Sequence, residues 1–581
     1  MLENPVINVD TNKNIYQSNE ASFSKVINQS ISRLNIVLKY EYLTSTFISV
    51  FLWSYCIISL ALKLNSVLTT VTFQKEDFIE VKTYFTRVEN FSEIQWTFYH
   101  KIFIIQLIYA LLFVMVSKYI KTKYSIDEVK KFYIASGIVF GFYLAQGNFI
   151  YIFITSIIFY LINFIINLIG GKSYELLCIT LMIFIKYLVN YLKRKVNLKI
   201  LDNSFFPNMD ALSWELFLIF NLFKMISFNF EYEKNFYNEN INNSIFSIDQ
   251  ARGHCYECLE GNFCLNCLNN ASIFDKTDFS FLSYLSYVFY PPLLYCGPII
   301  NYNNFVFQLK FYSQSEHKNF IRKDKIIYAV ILCAFTILME LHNYYINPCG
   351  FFTIKEIYNF LTFSYYCVLE INILVFHWLK FCIIWKTGRL WAWFDAIYTE
   401  ENINRFVCDI YSIEEFFRGF NRSLYKWVIR YLYIPLGGRD KKYFNIWLIF
   451  GFFYFLFDYS NWSFIVFFIF CGFIIIENIL KERIFENDGD TIKNNQKMWI
   501  RYTKYLVCTI YLIILYLLGL IAFGIGFSGV KGLFTSLYES RIFFRIIEII
   551  LFLLPNVIMI FYIRDMEYQE RLNNNEKVLN Y

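Results

Sequence analysis

The chain has 581 residues, of which 57% are hydrophobic, 22% aromatic and 17% charged, with a formal net charge of +6 and a mean hydropathy of +0.40. Soluble domains carry about 25% charged residues, so this balance excludes a soluble enzyme. The apolar load excludes a disordered chain, sparse Gly, Pro and Cys exclude a collagen or disulfide scaffold, and a charge this small excludes a nucleic-acid partner. What remains is an all-α polytopic membrane protein.

Residues 1–42 form a polar N-terminal tail. They lack a charged segment followed by an apolar core and a cleavage site, so no cleavable signal peptide is expected and the first span serves as a signal anchor. A membrane helix needs about 20 mostly apolar residues. Stretches that approach this lie at 44–62, 98–120, 131–147, 149–170, 175–192, 281–300, 326–342, 358–384, 444–457, 462–479, 502–527 and 542–562. Some are short or carry polar residues, which predicts about 10 to 12 membrane helices with re-entrant segments among them. They form one membrane domain over 43–565, followed by a polar C-terminal tail, 566–581. The C-terminus carries no retrieval, prenylation or glycolipid-anchor signal. Neither a solenoid repeat nor the matched broken halves of an inverted-repeat transporter is present.

Two polar regions interrupt this apolar chain. The first is the loop 231–279, which holds Cys255, Cys258, Cys264 and Cys267 as two CxxC pairs beside His254. A lumenal location favours disulfides. The spacing between the pairs is short for a zinc finger, though zinc and free thiols stay open. In each case the cysteines staple a loop.

The second polar region runs from Trp378 to Lys442, with 11 Lys and Arg against 7 Asp and Glu, and opens a core motif region over 378–480. Arg418, Arg422, Lys426 and Arg430 recur every four residues, so on one continuous helix they share a face. Beside Trp427, Tyr431 and Tyr433 they suit the phosphates of a polyanionic donor, or they snorkel into lipid headgroups. By the positive-inside rule this stretch faces the cytosol.

It is followed by Tyr433-Ile434-Pro435-Leu436-Gly437-Gly438, where Pro removes a helix donor and glycines permit backbone that Cβ forbids. The segment is either a buried re-entrant turn or a loop between spans. Tyr290-Pro291-Pro292 and Gly297-Pro298 have the same character. Histidine, the usual base near neutral pH, occurs at positions 100, 254, 317, 342 and 377 only. His342 and His377 lie in or beside apolar spans.

Several strings in order resemble the membrane-bound O-acyltransferase (MBOAT) superfamily, in the branch with glycerol-uptake (Gup) proteins and Hedgehog acyltransferase. They include Gln95-Trp96, Lys224-Met225-Ile226-Ser227-Phe228-Asn229, and Phe281 through Tyr287 leading into Tyr290-Pro291-Pro292-Leu293 and Gly297-Pro298-Ile299-Ile300. Further on are Trp378-Leu379-Lys380, Trp385-Lys386, Arg389-Leu390-Trp391, Glu401-Asn402 and the whole run Phe416–Gly438. The resemblance covers roughly 90–480, and part of the cysteine loop is similar to one in some Gup-type members.

The resemblance implies an MBOAT fold of helices and re-entrant segments around a central tunnel, where an acyl donor and a hydroxyl-bearing acceptor meet. It implies no tightly bound cofactor, acyl-CoA as co-substrate, and a membrane lipid or GPI-anchor acceptor in the endoplasmic reticulum membrane. It places Asn421 at the reaction centre and Arg418, Lys426, Trp427 and Arg430 at the donor. The histidine that such proteins carry downstream has no counterpart here, and Asp458 stands nearest its position. The chain then reads as an acyltransferase with a substitute base. The alternatives are a non-catalytic lipid-binding or regulatory relative and, third, a glycerol transporter or its modulator.

Overall fold

A computed structural model describes residues 36–70, 94–169, 183–184, 186–188, 214–237, 276–295, 297–310, 322–352, 361–457, 461–480, 498–523 and 542–573. Every regular element among the described residues is helical. Among the described residues seven helices are long and apolar enough to cross a membrane: Tyr42–Ser66, Gln95–Lys123, Ile126–Ile162, Asp324–Phe351, Phe363–Phe394, Tyr502–Ile521 and Phe543–Glu567. Their outward faces are apolar, with Phe47, Ile104, Met115 and Phe543 about 70% exposed or more. Lipid is the solvent that such faces require.

The expected stretches at 131–147 and 149–170 form one apolar run, bent at the 3-10 turn Gln146–Asn148. The stretch 175–192 lies mostly outside the described residues. Lys442–Phe457 has 16 residues and spans about 24 Å, short of the roughly 30 Å hydrocarbon layer. It packs against its successor, Asn461–Leu480.

The stretch 281–300 is not a span. It folds as a short helix, Phe281–Val288, then a 3-10 turn at Pro291–Leu293, then irregular backbone. Almost all of it is buried, which non-helical backbone at membrane depth requires. It lies so close to the 126–145 helix that a Cβ on Gly137 would sit 1.8 Å from the Phe289 carbonyl oxygen.

The opposite holds for Gly437 and Gly438, which adopt φ of 101° and 55° in an exposed turn. Of the two readings of the Pro-Leu-Gly-Gly string, the structure shows the loop. At the C-terminus the last helix runs Ile542–Asn573, past the expected start of a polar tail at 566.

Trp214–Tyr237 is a helix absent from the sequence-derived spans. Asn221, Lys224, Ser227, Asn229 and Glu231 break its apolar pattern, yet all five are buried. It lies inside the protein. Phe363–Phe394 is the central element, with 72% of its apolar window buried against 11–50% for the other spans. One core gathers the 94–169, 214–237 and 281–309 elements around Trp427 and Tyr431. A second gathers the central helix with 403–416, 466–474, 505–520 and 553–558. The segment 395–433 runs between these cores.

Candidate active site

The basic stripe does not lie on one helix. Ile413–Phe420 ends at Asn421, whose φ of −143° and ψ of 80° break the path before Arg422–Val428 begins. A new helix start leaves N–H groups without partners, and the surroundings supply them. The Arg422 N–H donates to the Asn402 backbone carbonyl at 3.0 Å, and the Ser423 N–H to the Asn402 side-chain oxygen at 3.3 Å. The Leu424 N–H donates to Oδ1 of Asn421 at 3.2 Å. Asn421 is therefore the N-cap. Its oxygen also accepts from the Ser423 hydroxyl at 3.3 Å, which leaves its NH₂ as the group for a further partner.

Ser423 opens onto a cleft of about 30 Å³ lined by Ile299, Ile300, Asn304, Thr399, Glu400 and Lys426, among others. One wall is the irregular segment after Gly297, tied to Ser423 by the Ile299 N–H at 2.9 Å. The other wall is the loop after the central helix. Gln308 clamps that loop, accepting from the Tyr398 N–H at 2.5 Å and donating to the Tyr398 carbonyl at 3.0 Å. Arg389 Nε holds the Thr399 carbonyl at 2.9 Å.

Each cation assigned to the donor has an acidic partner. Arg418 pairs with Glu414 at 2.7 Å, Lys426 with Glu400 at 2.7 Å and Arg422 with Glu400 at 3.7 Å. Arg430 pairs with Glu231 at 2.6 Å. Burial works against the charge of Arg430, but Tyr431 and Glu231 hold it above its ordinary value. Burial opposes Arg418 in the same way, and Tyr425 and Glu414 outweigh it.

Arg430 belongs to a closed cluster. Glu231 also accepts from Asn303 at 2.6 Å and from Tyr431 at 2.9 Å, and Ser227 joins through the Tyr431 hydroxyl and the Tyr302 N–H. Trp427 is buried, its ring edge-on to Phe223 and its indole N–H donated to the Phe223 carbonyl. It anchors the short helix to the 214–237 helix. Of the predicted donor residues, Lys426 alone lines the cleft.

Asp458, Cys255, Cys258, Cys264 and Cys267 lie outside the described residues. The helix leading to Asp458 ends against the buried Lys186, whose ammonium donates to the Leu456 carbonyl. His342 Nε2 lies 3.0 Å from Asn372 Oδ1, and His377 sits edge-on to Phe376. Both histidines belong to spans and do not line the cleft. Reading the sequence missed Ser423, Thr399 and Glu400 as site residues. Their signal was weak, since a Ser in a cationic run and a Glu-Glu pair in a loop look like ordinary surface.

Fold and site together define a multi-pass, all-α membrane protein with a polar cleft at the edge of one aromatic core. Residues 204–518, more than half of the chain, match the model of MBOAT, the membrane-bound O-acyltransferase family, and the chain belongs to that family. It is similar to membrane-bound O-acyltransferase gup1 of Schizosaccharomyces pombe, 28% identical over 373 residues, covering 63% of this chain and 59% of that protein. It is similar to two Saccharomyces cerevisiae proteins as well. With membrane-bound O-acyltransferase GUP1 it is 27% identical over 334 residues, 56% of this chain and 55% of that protein. With GUP2 it is 24% identical over 375 residues, 62% and 59%. The chain thus spans between half and three fifths of the length of these relatives.

Proposed function

We propose that the protein transfers a fatty acyl group from acyl-CoA to a hydroxyl of a lipid or GPI-anchor acceptor, within the endoplasmic reticulum membrane. The observation that carries this reading is the fixed carboxamide of Asn421. With its oxygen committed to the helix cap and the Ser423 hydroxyl, its NH₂ is the group left to donate to a substrate carbonyl oxygen. An asparagine is no base, but a positioned donor stabilises the charge that develops on a thioester carbonyl under attack. Lys426 and Arg422 hold the donor phosphates, and the cleft beside Ser423 brings thioester and hydroxyl together. Asp458 takes the acceptor proton in place of the histidine.

The second reading is a non-catalytic relative that keeps the cleft, favoured by the absence of any histidine after His377. Transfer of labelled palmitate from palmitoyl-CoA to lyso-lipid and lyso-GPI acceptors separates the two, using the purified chain in lipid nanodiscs. Turnover by wild type, abolished in Asp458→Ala, is the expected result. An inert wild type that gains turnover as Asp458→His would establish the second reading.

Asn421→Asp keeps a cap acceptor and removes the NH₂. Its folding is expected to match wild type, while kcat falls about 10²-fold or more, the cost of one lost oxyanion donor.

A further inference from the structure

Two neighbouring carboxylates on the loop after the central helix are held very differently. Glu401 is tied on three sides, by Lys386 at 3.0 Å, Arg389 at 2.9 Å and the Tyr328 hydroxyl at 2.7 Å. Glu400 makes a single hydrogen bond, from Lys426 at 2.7 Å, with Arg422 farther off at 3.7 Å. Its other oxygen is buried and makes no hydrogen bond. The backbone on which it stands is clamped by Gln308 and Arg389, so its side chain can swing without moving the loop.

Beside it the Thr399 hydroxyl, on a residue 2% exposed, lines the cleft and has no partner. Buried polar atoms in that state call for a ligand or water to complete them. The cleft of about 30 Å³ has room for at least one water molecule. A phosphate group that reaches Lys426 competes with Glu400 for the same ammonium.

We propose that Glu400 is a resident counter-anion of the donor site. It neutralises Lys426 and Arg422 while the cleft is empty, and gives way to a phosphate of the CoA moiety, so that it sets the affinity and the salt dependence of donor binding. The other pairs of the stripe are unsuited to this exchange. Glu231 is held by Arg430, Asn303 and Tyr431, and Glu414 sits on the same helix as Arg418 and away from the cleft lining. The inference rests on the reading of this cleft as an acyl-CoA site.

The test is equilibrium binding of CoA itself to the full chain in lipid nanodiscs, at several salt concentrations. Glu400→Gln is expected to bind CoA about tenfold more tightly, one ion pair's worth of affinity, with a steeper loss on adding salt. Glu400→Asp, shorter by one methylene, loosens the pair and should fall between, at roughly threefold. In the double variant with Lys426→Met the gain should vanish. If CoA binds, Lys426→Met weakens it and neither Glu400 variant tightens it, the donor site stands and the counter-anion is refuted. If CoA does not bind, or binds independently of Lys426, the donor reading fails and the counter-anion falls with it.

Discussion

Asp395 and Glu400 are five residues apart, both acidic and both opposite lysines, yet they are built for different ends. Asp395 is fully buried and saturated. Its carboxylate accepts from Ser117 at 2.5 Å and Lys121 at 3.0 Å on one oxygen, and from Tyr133 at 2.5 Å and Tyr290 at 2.8 Å on the other. These donors come from two N-terminal spans and from the buried irregular segment, so one carboxylate ties three elements to the end of the central helix. Glu400 has a single hydrogen bond and space beside it. A buried charge with every lone pair occupied fixes a scaffold. One with valence left over, at the edge of a cleft, is available for exchange.

The comparison can be broken at either end. Asp395→Asn removes the carboxylate charge beside Lys121, whose side chain is only 3% exposed. The expected loss is about 3–5 kcal/mol, read as a fall in the thermal unfolding midpoint in detergent. Unchanged stability would show that the clasp holds nothing. Gln308→Leu strips both backbone partners from Tyr398 and should cost about 2 kcal/mol, with a higher KM for acyl-CoA because the Glu400 wall loosens. A pure stability effect with KM intact would detach the clamp from the cleft. Tyr290→Phe removes one of the bonds to Asp395 and should cost about 1 kcal/mol in the same unfolding assay. Glu400→Gln is expected to lie within about 0.5 kcal/mol of wild type, as for a partly exposed pair. A loss as large as that of Asp395→Asn would make Glu400 part of the scaffold and erase the distinction.

The spans were legible because lipid-facing helices must be apolar over a fixed length, and Phe47, Ile104 and Phe543 advertise that in composition alone. The ordered strings around Trp385, Asn421 and Pro435 carried the family, which the comparison over 204–518 bears out. The 214–237 helix escaped because its polar residues pair inside the protein. A hydropathy pattern cannot tell a buried Glu231 with three side-chain partners from a solvated one. The same blindness produced 281–300 as a span, since burial by protein and burial by lipid select the same apolar residues.

The stripe Arg418–Arg430 shows a different limit. Spacing of four predicts a shared face only on an unbroken helix. Asn421 breaks this one because its side chain can cap a fresh start, and Asn402 from a separate loop supplies the remaining acceptors. The acidic partners Glu231 and Glu400 come from outside the stripe, so its net charge was visible in the sequence and its neutralisation was not.

The proposed donor site is the cleft between the 297–301 segment and the Tyr398–Glu401 loop. The most direct measurement is photolabelling of the full chain in lipid nanodiscs with a photoreactive CoA analogue, followed by mapping of the adduct by mass spectrometry. Adducts are expected on peptides containing Ile299–Asn304, Thr399–Glu400 or Ser423–Lys426, suppressed by excess CoA. Adducts confined to other surfaces, or labelling that excess CoA leaves untouched, would contradict this donor site.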